Sequence, residues 1–169
     1  RRGLFQGTAA DPAKARAAIG TAGHRAVARR VAEGAVTLVR NDDGVLPLKG
    51  GKVAVTGPKS AALGAALRRN GIQVTAPGSA DVTVLTTENA GRATASRVAA
   101  LGPKPVVVAA LGRPYDLDAA DGAEAALATY SSSAVSVGAL ARVLSGAVNP
   151  TGRLPVPAAG TPAGHGLGY

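Results

Sequence analysis

Val106-Val-Val-Ala-Ala-Leu111 is a short, wholly apolar run, and its reading decides the fold. Neither side of such a strand offers water a polar group, so the sheet that holds it must be covered on both faces. Outward from it, short β-branched runs alternate with alanine-rich stretches of helical spacing, the pattern of βαβ units and a mainly parallel sheet. Strands are predicted at Lys52 to Thr56, Ile72 to Thr75, Val82 to Thr86, Val106 to Leu111 and Ala126 to Tyr130. Helices are predicted at Ser60 to Arg69, Ala93 to Leu101 and Val135 to Leu144. The expected architecture is a three-layer α/β/α sandwich with a mainly parallel sheet of five or six strands.

Ahead of this alternation, Thr21 is placed to cap a helix from Ala22 to Gly34 with Val27, Val31 and Ala35 buried. An extended Val36 to Arg40 and a turn at Asn41-Asp-Asp-Gly44 follow. Residues 1 to 20 read as a connector, because Gly3, Gly7, Thr8, Asp11 and Pro12 interrupt any long period. Residues 21 to 169 form the single domain. At its far end, Leu140, Val143 and Leu144 share one helical stripe. Gly146 suits a left-handed helix end, and Pro150 forbids continuation. The tail from Pro157 to Tyr169 is expected to pack along the surface as a Gly/Pro loop.

Composition narrows the functions. Hydrophobic residues make up 46% of the 169, enough for a core, yet aromatics make up 2% with no Trp, so the interior is built from Ala, Val and Leu. That scarcity argues against a glycan-binding module of stacked rings. Zero cysteines remove disulfides and thiolate metal sites. His24 and His165 have no second ligand at i+3 or i+4, and both read as surface residues, so no metal or other cofactor is expected. No run of roughly 18 apolar residues is present, so no membrane-spanning helix is predicted. The formal charge is +9, with ten Lys/Arg against four Asp/Glu in residues 1 to 52. Such an excess attracts polyanions nonspecifically. Arg25, Arg29 and Arg30 lack the interleaved aromatics of a nucleic-acid surface and read as a solvated helix face.

Three stretches carry a family resemblance: Asn149-Pro-Thr-Gly-Arg-Leu-Pro-Val156, Gly112-Arg-Pro-Tyr-Asp116, and Thr37-Leu-Val-Arg-Asn-Asp-Asp-Gly-Val-Leu-Pro-Leu48. Together they resemble the C-terminal domain of glycoside hydrolase family 3, in particular its two-domain bacterial β-N-acetylglucosaminidases. The resemblance implies an exo-acting parent enzyme that releases terminal GlcNAc from cell-wall or chitin-derived glycans, with a secreted or cell-envelope location favoured. It implies an N-terminal catalytic barrel as partner and an oligosaccharide as substrate. Arg1-Arg-Gly-Leu-Phe5 is similar to the end of that barrel's last helix, and the absence of Met fits a processed or excised chain.

A retaining glycosidase needs two groups about 5 Å apart, a nucleophile and an acid/base. In enzymes this chain resembles, the nucleophilic Asp lies on the barrel. The N-acetylglucosaminidase branch places its acid/base His, with an Asp partner, on a barrel loop within a Lys-His-Phe-Pro-Gly-His stretch. This sequence has no such stretch. The β-glucosidase branch supplies a Glu from a long second-domain loop, and Glu88 in Thr86-Thr-Glu-Asn-Ala-Gly91 stands in roughly that place. Its loop is short, so a helix-start role is the better reading. The resemblance therefore implies a non-catalytic chain.

Ligands of an open α/β sheet bind at the carboxyl ends of its strands. There Gly57-Pro-Lys-Ser60 is similar to a phosphate loop but lacks the Walker spacing and reads as a tight turn. Arg113, Tyr115 and Asp116 are the candidate substrate or interdomain contacts, with an Arg-Asp pair holding the loop or docking it to the barrel favoured over substrate contact. Ser131-Ser-Ser133 reads as a helix cap, and Glu33 and Glu124 as solvated. A stand-alone glycan-binding module and a flavodoxin-like nucleotide or regulatory domain are the alternative functions.

Overall fold

A computed structural model describes residues 11–169. The expected end of a preceding barrel helix, Arg1 to Phe5, lies outside the described residues. The elements in chain order are α1 (Pro12–Ala18), α2 (Ala22–Ala35), β1 (Thr37–Asn41), β2 (Lys52–Thr56), α3 (Ser60–Arg69), β3 (Gln73–Val74), β4 (Val82–Thr87), α4 (Ala93–Ala99), β5 (Val106–Ala110), β6 (Ala125–Ala128) and α5 (Ala134–Leu144). The sheet has six strands in the order β1-β6-β5-β4-β2-β3. All its pairings are parallel except β1 with β6.

The apolar strands are covered on both faces. On one, α2, α3 and α5 supply Ala32, Leu63, Leu67, Leu140, Val143 and Leu144 to a core with Val53, Val84, Val107 and Leu127. On the other, α4 and a 3-10 segment at Pro114–Ala119 bring Val98 and Leu117 against Leu85, Val106 and Val108. The three-layer sandwich is therefore two cores sharing one sheet. Each fully buried Leu or Val contributes about 1.5–3 kcal/mol of transfer free energy. With few rings available, many such residues are required.

Local signals act as their chemistry dictates. The Thr21 hydroxyl accepts from the His24 amide at 3.2 Å and starts α2. The Asn41 side chain accepts from Leu46 N at 2.9 Å and donates to Leu46 O at 3.0 Å, closing the turn after β1. Gly146 ends α5 at φ 77°. The chain then crosses the start of β1, where the Gly152 amide donates to Val36 O at 3.1 Å. A Cβ on Gly152 would lie 2.6 Å from Ala35 O, so that crossing needs the glycine for space. The tail packs as expected: Leu167 N donates to Leu38 O at 2.8 Å, and the Tyr169 hydroxyl donates to Val143 O at 2.8 Å.

Several expectations are corrected. Val27 and Val31 are 49% and 66% exposed, whereas Ala32 is buried. The helix is turned so that Glu33 meets Arg142 of α5 at 2.8 Å, and small Ala32 faces the core. Glu33 and Glu124 are consequently not free in solvent; Glu124 accepts from Val106 N at 2.6 Å. His165 is half-buried, its Nε2 2.9 Å from Val39 O. Part of the presumed connector is helical, since Asp11 accepts from the Ala13 amide at 2.9 Å and caps α1, which buries no residue. The predicted Ile72 to Thr75 strand shrinks to Gln73–Val74, an edge pairing with β2 alone.

Candidate functional site

β2, β4, β5 and β6 run in parallel, so the loops that follow them meet at one edge of the sheet. That edge is built tightly. After β2, Gly57 has φ 93°, and a Cβ there would lie 2.1 Å from Thr86 O, so the turn presses directly on β4. The Thr86 hydroxyl lies 2.9 Å from Thr56 O and 2.5 Å from Pro58 O and ties the turn down. The Ser60 amide donates to Gly57 O at 3.2 Å, so Gly57 to Ser60 forms a strand-to-helix turn in which this amide already has an acceptor.

The β4–α4 loop, residues 88 to 92, is gripped from both sides. Glu88 does not start α4; its Oε1 accepts from the Ser132 hydroxyl at 2.6 Å across the β6 loop. Five residues separate β4 from α4, so Glu88 lies outside the helix's first turn, where its charge would meet the dipole. Asn89 Oδ1 accepts from the Arg113 backbone at 3.2 Å and from Arg113 Nε at 3.0 Å. Asp116, 1% exposed, accepts from Gly91 N at 2.8 Å through Oδ1, while its Oδ2 is buried without a partner. Arg113 and Asp116 are thus not paired with each other. Both hold the β4–α4 loop instead, and Tyr115 stands half exposed between them.

Gly112 serves space rather than turning freedom, since a Cβ there would lie 2.7 Å from Asn89 Oδ1. Ser133 caps α5 as expected, accepting from Ser136 N at 3.3 Å. Sequence reasoning missed Asn89 and Ser132 as clamp residues. The available signal was the position of Asn89-Ala-Gly91 directly after a strand, facing Gly112-Arg113 after the next.

Three residues other than glycine adopt left-handed backbone at this edge: Lys59 (φ 60°), Asn89 (φ 54°) and Tyr130 (φ 59°), following β2, β4 and β6. Each such residue costs on the order of 1–3 kcal/mol and persists because its surroundings hold it. The Tyr130 hydroxyl reaches Thr37 Oγ1 at 2.9 Å. Desolvation by burial pushes its pKa above the usual value, and the Thr37 bond opposes that shift. Chemically, the edge is a rigid rim of hydrogen-bonding groups with one exposed carboxylate, Glu88. The nearby Asp116 is sealed beneath it. Among the described residues, no group of three His, Cys, Asp or Glu converges as metal ligands. No helix of the described residues is long and apolar enough to cross a membrane.

Comparison with known proteins places this architecture. The fold is similar to that of a glycoside hydrolase family 3 β-N-acetylglucosaminidase from Paenibacillus sp. str. FPU-7, with TM-score 0.70 and 24% identity over 86% of this chain and 34% of that one. It is also similar to a β-glucosidase from Erythrobacter marinus, with TM-score 0.73 and 22% identity over 99% of this chain and 38% of that one. A β-glucosidase from Listeria innocua in complex with isofagomine matches with TM-score 0.62 and 22% identity over 78% of this chain and 26% of that one. This chain therefore spans 26–38% of the length of these structures. Among curated proteins, none matches it. The family profile described as the glycosyl hydrolase family 3 C-terminal domain matches residues 65–163, and this chain belongs to that family.

Proposed function

We propose that this chain is the non-catalytic partner domain of an exo-acting β-N-acetylglucosaminidase, which removes terminal GlcNAc from cell-wall or chitin-derived glycans. In this reading residues 1–20 connect it to a preceding catalytic barrel, and residues 21–169 form the partner domain. That α1 buries no residue supports the connector role. The rim of Arg113, Tyr115 and Asp116 faces the barrel, with Asp116 bracing the rim from below.

The observation that carries the proposal is the closed β4–α4 loop. Fully extended, five residues span about 17 Å, and a loop that must return reaches about half of that. Glu88 is moreover tied to Ser132. A carboxylate so held does not enter an active site on another domain, so the acid/base falls to the barrel. That division of labour belongs to the N-acetylglucosaminidase branch rather than to the β-glucosidase branch.

The test uses the parent enzyme with wild-type Glu88 and with Glu88→Gln, assayed on nitrophenyl N-acetylglucosaminide and nitrophenyl glucoside. The expected result is a preference for the N-acetylglucosaminide and a kcat/KM within about threefold in the variant. Removing a general acid costs about 100- to 10,000-fold. A loss of that size, or a preference for the glucoside, overturns the proposal.

A further inference from the structure

The net charge of +9 is not spread evenly over the fold. The three helices on one face, α2, α3 and α5, carry Arg25, Arg29, Arg30, Arg68, Arg69 and Arg142 against the single acid Glu33. On the opposite face, α4 and the 3-10 segment carry Arg97 against Asp116 and Asp118. One face of the sandwich is thus strongly cationic and the other nearly balanced.

The cationic face is also grooved. A depression of about 370 Å³ is lined by Arg29, Arg69 and Arg142 around a floor that includes Ala66, Ala134 and Gly138. A second depression of about 270 Å³ between α3 and α5 shares Arg69, Ala66, Ala134 and Gly138 with it, so the two run together as one trough. Small side chains keep the floor low, and the guanidinium groups stand along it.

One of these arginines already holds a carboxylate, since Arg142 Nε lies 2.8 Å from Glu33 Oε1. Among the described residues, Arg29 and Arg69 have neither a hydrogen bond nor an ion pair within the protein. Guanidinium forks match carboxylates with two parallel hydrogen bonds, and beside the trough Arg142 already sits in ion-pair contact with the carboxylate of Glu33. A linear ligand bearing carboxylates at intervals would complete it. No aromatic ring lines the trough to stack a base, which disfavours nucleic acid. A methyl-and-glycine floor accommodates sugar rings without demanding a particular edge.

We propose that the α2–α3–α5 trough binds a carboxylate-bearing polysaccharide, with Arg29 and Arg69 as its anion contacts. The inference rests on the charge asymmetry and the trough, together with membership in a glycoside hydrolase domain family. It does not depend on the GlcNAc reading, because the trough is formed by helices on one face, apart from the loops at the strand ends. Its effect would be to hold the enzyme on an acidic glycan matrix.

The experiment measures binding of a fluorescent alginate oligomer to the 169-residue chain by anisotropy across a salt series. Wild type is compared with Arg29→Ala, Arg69→Ala and, on the opposite face, Arg97→Ala, each checked for an unchanged circular dichroism spectrum. Each of the first two is expected to weaken binding about fivefold and to lower the slope of log K against log salt by roughly one contact. Arg97→Ala is expected to change binding less than twofold. Equal losses in all three variants would mean that net charge alone is read, and the proposal fails. It fails likewise if alginate does not bind, or if poly(glycerol phosphate) or single-stranded DNA binds more tightly through the same arginines.

Discussion

Gly57, Asp116 and Tyr169 show how single residues hold the strand-end edge and the tail. Gly57→Ala would combine a left-handed backbone with a methyl group 2.1 Å from Thr86 O. We expect a loss of more than about 3 kcal/mol in urea unfolding, because neither the turn nor β4 has room to yield. Asp116→Ala leaves Gly91 N without its buried acceptor and is expected to cost about 1–3 kcal/mol. Burial holds the Tyr169 hydroxyl proton well above its ordinary range. The folded state keeps a proton that the unfolded chain releases near pH ~10. This contribution is therefore complete below that pH and is lost as pH rises toward the raised folded value. Tyr169→Phe should cost about 1 kcal/mol at pH 8 through the lost bond to Val143 O. Between pH 8 and 11 its urea midpoint should then fall less steeply than that of wild type, and an equal or steeper fall would contradict the burial argument. At this scale the sequence is unevenly informative. Gly146 and Ser133 declare their cap roles through position, whereas nothing in the sequence shows that Gly112 leaves space for Asn89. Only the packed loops reveal which atom fills that space.

Among the elements, the strands of the inner sheet were legible because continuous apolar runs have few other uses in a chain this short of polar alternation. α2 was not. Its valines at i and i+4 satisfied helical periodicity, yet they face outward while Ala32 and the Glu33–Arg142 pair face α5. Close approach of two helices favoured a small residue and an ion pair over a valine stripe. Val31→Lys should therefore change the stability of this chain by no more than about 0.5 kcal/mol, as for an exposed site. Ala32→Leu, overpacking the α2–α5 contact, should cost about 1–3 kcal/mol. Thermal melts of the two variants distinguish this orientation from the one that periodicity suggests. The loops were legible in type but not in partnership. Arg113 and Asp116 were identified as polar contacts, but their partners, Asn89 and Gly91, lie more than twenty residues earlier in the chain and meet them only because β4 and β5 are neighbours.

For the whole molecule, two cores on one parallel sheet follow from the alternation of apolar strands and alanine-rich helices, and the family membership follows from motifs that each have a structural task. Asn149 accepts from the Tyr169 amide at 2.7 Å, Gly152 passes under β1, and Asp116 fixes the β4–α4 loop. These tasks hold the tail, the start of β1 and the β4–α4 loop in place. The proposed reading, a partner domain without the reacting groups, follows from this arrangement. Incubation of the purified 169-residue chain with nitrophenyl N-acetylglucosaminide tests it most directly. The account predicts no nitrophenol release above buffer, and turnover that Glu88→Gln abolishes would contradict it.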